Sequence, residues 1–227
     1  MTGVLTLHHL EYSQSFRILW LLEEIGTDYE LISYNRDPET LLAPREYKAL
    51  SPLGTAPVIT HGDIVLAESS AIIDHLMDTI PDQSLRPGPG SQYRLRYLFW
   101  FHAAQGSMMP LQLMDTVLSL SQSRMPFLLK PFVAFYAQVL NRLFIYPRLE
   151  TLLSIAEADL SEEPWFGGDS ISAADFLISY NLIVGEARGM ITDKYPNCLE
   201  WIQRMKSLPS YARAIHKDGR SSVGLDY

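Results

Sequence analysis

The stretch Pro52–Leu53–Gly54–Thr55–Ala56–Pro57–Val58–Ile59, followed closely by Leu66–Ala67–Glu68–Ser69–Ser70, constrains the fold more than any other part of the chain. A proline where a strand should begin donates nothing to a ladder. Pro57 therefore belongs on an edge, at a first strand position or in a cis bend. A cis Ala56–Pro57 bond would turn the Ala56 backbone outward, free to pair with an extended ligand. Val58–Ile59–Thr60 and Ile64–Val65–Leu66 read as a hairpin around His61–Gly62–Asp63. Glu68–Ser69–Ser70 then opens a helix with Ile72, Ile73, Leu76 and Ile80 on its apolar face. A helix start offers unpaired N–H groups and positive partial charge, while Glu68 adds a negative partner for an amine. Donors and acceptors for a zwitterion meet here, as the α-amino and α-carboxylate end of a peptide requires.

The rest of the chain divides in two. Residues 4–9 alternate into a strand, 15–25 carry Ile18, Leu21, Leu22 and Ile25 on one helical face, and Gly26 is placed to end that helix. Residues 29–34 form a second strand, giving a β-α-β start, and 39–50 a weaker helix and loop. Pro81, Pro87, Gly88, Pro89 and Gly90 mark a linker over 81–90. Everything beyond it reads as helix. A long helix over 91–120 is expected to break at Pro110, and another over 127–163 is interrupted by Pro131 and Pro147. The apolar run 132–146 falls short of the about 20 residues a membrane span needs. It is expected to be buried or to face a second subunit, and membrane contact is not expected. Ser172 and Asp175 form a capping box, flanked by Ile171 and Phe176 as a hydrophobic staple.

Composition excludes several classes. Apolar residues make up 47% and charged ones 19%, which supports a packed core over disorder. A net charge of −8 argues against nucleic-acid binding, and it opposes any anionic ligand that lacks local help. The one cysteine, Cys198, precludes an internal disulfide framework and fits a reducing, cytoplasmic setting. No signal peptide is expected ahead of the first strand. No His/Cys/Asp cluster has metal-ligand spacing, so no metal is expected.

Residues 52–73 resemble the glutathione-binding half of the thioredoxin-like domain of cytosolic glutathione transferases. Leu5–Leu10 with Tyr12–Ser13–Gln14–Ser15–Phe16–Arg17 is similar to the first strand and activating loop of the serine-type (theta- and delta-like) classes. Residues 97–102 with Gly106–Ser107–Met108–Met109–Pro110 resemble the fourth helix of a fungal and bacterial subgroup related to a yeast transferase. Ser172–Ala173–Ala174–Asp175 resembles the family's capping motif. The resemblance implies an α/β plus all-α fold. A thioredoxin-like β-α-β-α-β-β-α domain over 1–80 would be joined by the 81–90 linker to an all-helical domain over 91–227. It also implies a homodimer.

Such an enzyme must keep the glutathione thiol as thiolate, since the thiolate is the nucleophile. Lowering a thiol pKa by two units takes about 2.7 kcal/mol of preferential thiolate stabilisation, the size of one hydroxyl bond plus a helix-end contribution. Ser13, four residues before Arg17, is the hydroxyl the resemblance selects, with Tyr12 second and an N-cap as the structural alternative for Ser13. His8 and His9 read as core and surface neighbours. The resemblance further implies that Ala56 and Pro57 hold the cysteinyl unit, and that Glu68 and Ser69 hold the γ-glutamyl end. Thr55 stands where relatives often carry a basic side chain, which leaves Arg45, Lys48 or water for the glycine carboxylate. A pocket for a small hydrophobic electrophile is expected along Tyr97, Phe101, Met108 and Met109. Two function classes follow: conjugation of glutathione to electrophiles, with reduction of hydroperoxides beside it, or a scaffold of the same fold that binds without turnover.

Overall fold

The computed structural model describes residues 3–80 and 84–219. Its first half runs β1 (Leu5–Leu10), α1 (Ser15–Ile25), β2 (Glu30–Tyr34), α2 (Arg45–Lys48), β3 (Val58–His61), β4 (Ile64–Ala67) and α3 (Ser69–Thr79). This is the expected β-α-β-α-β-β-α order. The strands lie side by side as β2-β1-β3-β4, with β1 and β2 parallel and the other pairs antiparallel. α1 is buried from Ser15 to Glu23 because it is packed between the sheet, α8 and α10. It ends as expected at Gly26, whose φ of 71° lets its N–H return to the Leu22 carbonyl at 2.9 Å. Of the weaker helix and loop expected over 39–50, the helix is the single turn of α2.

The second half is helical: α4 (Arg94–Ala103), α5 (Met109–Arg124), α6 (Lys130–Leu140), α7 (Tyr146–Glu162), α8 (Ala173–Ala187), α9 (Pro196–Lys206) and α10 (Pro209–Asp218). The break at Pro110 takes a specific form. A π-helical turn, Ala104–Met108, precedes it, and Met109 N–H reaches back to Ala104 O. Widening the turn relieves the clash between a proline ring and the carbonyl four residues back. The device recurs at Asn141–Ile145, just before Tyr146–Pro147. Of the expected linker, 81–83 lie outside the described residues, and 84–90 hold no helix or strand.

Of the two alternatives expected for the apolar run, burial within the chain fails. The run 132–146 is not buried: Phe132, Phe135, Tyr136 and Leu143 are 74, 68, 60 and 71% exposed, and within it Ala137 and Ile145 are the fully buried apolar residues. α6 stands outside the bundle against α5, so only its small face reaches the core. No helix among the described residues is long and apolar enough to cross a membrane.

A continuous core joins the two halves through Trp20, Trp100, Phe166, Phe176 and Trp201. Within it the capping box is present as expected. Ser172 donates its N–H and hydroxyl to Asp175 Oδ2 at 2.9 and 2.7 Å, and Asp175 Oδ1 accepts from Phe166 N–H and Trp201 Nε1–H, both at 2.9 Å. α10 is clamped onto α1. Trp20 Nε1–H donates to Ser210 Oγ at 3.1 Å, and Glu23 takes Arg213 and Lys217 at 3.2 and 2.6 Å.

Candidate active site at one end of the sheet

Register brings the candidate residues to one sheet end. His8 lies opposite Val58, so two residues further on the end of β1 at Leu10 comes level with Ala56. Val58 lies opposite Ala67, which sets Pro57 level with Glu68. The loop 11–14, the 56–57 edge and the starts of α1 and α3 therefore share one end of the sheet. Both helices turn their N-terminal N–H groups toward it, a positive local field within a chain of net charge −8.

The Ala56–Pro57 bond is cis. Ala56 is half-buried, and its backbone N–H and C=O have no hydrogen-bond partner among the described residues. Glu68 is exposed at φ 75° and ψ 121°, outside the usual range for a residue with a side chain. Ser69 is 1% exposed, and its hydroxyl has no partner. Buried hydroxyls ordinarily have one. Lys48 runs along this edge: a Cβ on Gly54 would lie 3.4 Å from its Cγ. Arg45 is exposed.

The loop after β1 is braced from β2. Arg36 donates from Nε to Glu11 O and from Nη2 to Tyr12 O, both at 3.0 Å, and from Nη1 to Leu41 O at 2.9 Å. This holds Tyr12 at φ 48°, with its ring on the surface. Ser13 is 8% exposed; its Oγ is 2.7 Å from Leu10 O and 2.8 Å from Ser15 Oγ, and it accepts the Ser15 N–H at 3.2 Å. Gln14 reaches into the helical half, its Oε1 taking Gln105 Nε2 at 3.1 Å and its Nε2 lying 3.6 Å from Met109 Sδ.

Both histidines of β1 are buried, which corrects the expectation that one faces solvent. His8 contacts Tyr34 Oη at 3.1 Å and Thr60 Oγ1 at 3.3 Å, and burial lowers its pKa. His9 places Nδ1 at 2.8 Å from Ser15 Oγ and Nε2 at 2.6 Å from Asp218 Oδ1. Of the expected electrophile contacts, Tyr97, Phe101 and Met108 are 1, 2 and 1% exposed, while Met109 is half-buried beside Gln14. A cavity of about 840 Å³ opens elsewhere, between α5, α7 and the loop after α8, lined by Asp115, Tyr146, Arg188 and Lys194 among others. Size alone does not make it the active site, because none of its lining residues belongs to the sheet end. Arg36, Gln14, Gln105, His9 and Asp218 are the site neighbours that sequence reasoning missed. Leu5, Leu7 and His9 alternate on one face of β1, a usable signal for His9; the others leave none.

A thioredoxin-like sheet presenting a cis-proline edge, backed by an all-helical second half, defines the two-domain thiol transferases as a class. Residues 13–79 match the glutathione S-transferase N-terminal domain and 146–209 the glutathione S-transferase C-terminal domain. Glutathione S-transferase 3 of Schizosaccharomyces pombe is 27% identical over 215 residues, covering 94% of this chain and 88% of that protein. Glutathione S-transferase 1 of Saccharomyces cerevisiae is 25% identical over 223 residues, covering 94% and 95%. The crystal structure of a glutathione S-transferase from Actinobacillus pleuropneumoniae superposes with a TM-score of 0.76 at 30% identity, covering 98% of this chain and 95% of that one. The chain belongs to the glutathione S-transferase family, as an enzyme with glutathione as its co-substrate.

Proposed function

We propose that the sheet end binds glutathione, holds its sulfur as thiolate and directs it at small apolar electrophiles, with reduction of organic hydroperoxides as a second use of the same thiolate. The Ala56 backbone pairs with the cysteinyl unit, and Pro57 fixes that edge. Glu68 takes the γ-glutamyl amine, while Ser69 and the first N–H groups of α3 take its carboxylate. Lys48, beside Gly54, is better placed than Arg45 for the glycine carboxylate. Ser13 donates to sulfur, and Tyr12, its ring on the surface, is the second choice. The electrophile meets Met109, the half-buried member of its expected set, next to Gln14. The enzyme works in the cytoplasm as a homodimer.

The observation that carries this reading is the buried, partnerless hydroxyl of Ser69 at the start of α3, next to an exposed carboxylate and a free backbone edge. A bound carboxylate supplies the missing partner. Ser69→Ala should weaken glutathione binding about tenfold, the scale of one hydrogen bond to a charged group. Its melting temperature should hold, because the hydroxyl has no partner in the protein to lose. Calorimetric titration with an unchanged Kd would refute the assignment. A second reading, a protein that binds glutathione without turnover, is favoured by one contact: Ser13 Oγ already lies 2.7 Å from Leu10 O. Single-turnover kinetics of Ser13→Ala decide between them, since only an enzyme using Ser13 loses its chemical step while keeping its glutathione affinity.

A further inference from the structure

Behind Ser13 runs a chain of short contacts that the reaction as described does not use. Asp218 Oδ1 is 2.6 Å from His9 Nε2, His9 Nδ1 is 2.8 Å from Ser15 Oγ, and Ser15 Oγ is 2.8 Å from Ser13 Oγ. The Asp218 and His9 side chains are 6 and 1% exposed. Where α10 packs on α1, Arg213 and Lys217 both pair with Glu23, and His216 lies exposed beside them. The carboxylate bonded to the His9 ring is that of Asp218.

Counting protons shows what the chain does. Each hydroxyl has one proton. Leu10 O lies 2.7 Å from Ser13 Oγ and 3.0 Å from Ser15 Oγ, and Leu10 N–H donates to Ser15 Oγ at 3.1 Å. If His9 is neutral with its proton on Nε2 toward Asp218, Nδ1 is an acceptor and takes the Ser15 proton. Leu10 O then falls to Ser13, whose proton is spent. If His9 is imidazolium, Nδ1–H donates to Ser15 and the network holds one proton more, so Ser15 can donate onward, to Leu10 O at 3.0 Å or to Ser13 Oγ at 2.8 Å. Ser13 is then free to donate to a sulfur while still accepting the Ser15 N–H.

We infer that Asp218 and His9 are positioning residues for thiol activation: the pair holds the ring with a proton on Nδ1, which orders the Ser15 hydroxyl and releases the proton of Ser13 toward the glutathione sulfur. The inference rests on the reading of Ser13 as the activating hydroxyl. It also makes α10, in the helical half of the chain, part of the machinery at the sheet end.

The test is the thiol pKa of bound glutathione, read by thiolate absorbance in wild type, Ser13→Ala, Asp218→Ala and Asp218→Ala/His9→Phe, with glutathione Kd and melting temperature measured on each. Simple charge removal predicts that Asp218→Ala lowers the thiol pKa, because a nearby negative charge is lost. The relay predicts the opposite: a rise of about half to one unit and a fall in kcat of about three- to tenfold, with Kd within about twofold. Adding His9→Phe should restore the wild-type value, because the ring no longer takes the Ser15 proton. A thiol pKa in Asp218→Ala that stays put or falls overturns the relay, whatever happens to melting temperature, as does failure of the double variant to recover. If Ser13→Ala leaves the thiol pKa unchanged, the reading of Ser13 fails first and the relay with it. Should Asp218→Ala not fold, ¹⁵N resonances of wild-type His9 at neutral pH decide: a protonated Nδ1 supports the relay and a bare Nδ1 overturns it.

Discussion

At φ 75° and ψ 121°, Glu68 holds a backbone conformation that costs a residue with a side chain about 1–3 kcal/mol. Glu68→Gly should therefore stabilise the fold by about 1 kcal/mol in denaturant titrations while weakening glutathione binding. A variant that loses stability as well as affinity would assign Glu68 to the fold instead of the ligand. Asp175 is the contrasting carboxylate. It is fully buried and accepts hydrogen bonds from Ser172, Phe166 and Trp201. Asp175→Ala strands those donors and should cost about 3–5 kcal/mol, read as a drop in denaturation midpoint. Asp175 was legible in the sequence because Ser172 lies three positions before it, and Glu68 because it stands at a helix start. His9 and Asp218 are 209 positions apart, so no spacing rule could join them.

At the scale of elements, local pattern predicted what local physics determines. α1 ends where Gly26 allows it, the hairpin turns at Gly62–Asp63, and α3 begins after Glu68. The form of each proline break was not legible, because a wide π-helical turn and a plain kink follow from the same Met-Pro or Tyr-Pro pair. For α6 the sequence allowed burial or a face toward a second subunit, because burial depends on neighbours that the run itself does not specify. The contact between β3 and α3 gives a pH dependence. His75 Nε2 is 3.2 Å from His61 Nδ1, and burial, then the His61 charge, depress the His75 pKa. Burial depresses His8 as well. The unfolded chain therefore binds more protons than the native one, and stability rises with pH through this window. It should fall as pH drops below about 6.5, and His75→Gln should flatten the decline. Denaturant midpoints from pH 5 to 8 that rise on acidification would contradict this.

For the whole molecule, the two halves form one cooperative unit. α10 covers Trp20, which is fully buried, and carries Arg213 and Lys217 to Glu23. Deleting residues 209–227 should cost several kcal/mol, on the order of exposing a buried tryptophan, and abolish transferase activity. A truncated chain that melts like wild type would show that the halves are independent. Cys198 is fully buried, and burial next to Glu157 pushes its thiol well above the ordinary range. The native protein should therefore resist thiol reagents until it unfolds, and it contributes no thiolate of its own near neutral pH.

That silence makes one measurement decisive for the central claim. Thiolate absorbance of glutathione bound to the wild-type protein, followed against pH, reports directly on the sheet end. Activation by two helix starts and a hydroxyl predicts a bound thiol pKa about two units below that of free glutathione, worth about 2.7 kcal/mol. A bound thiol that titrates where free glutathione does would contradict the account and leave a site that binds the peptide without activating it.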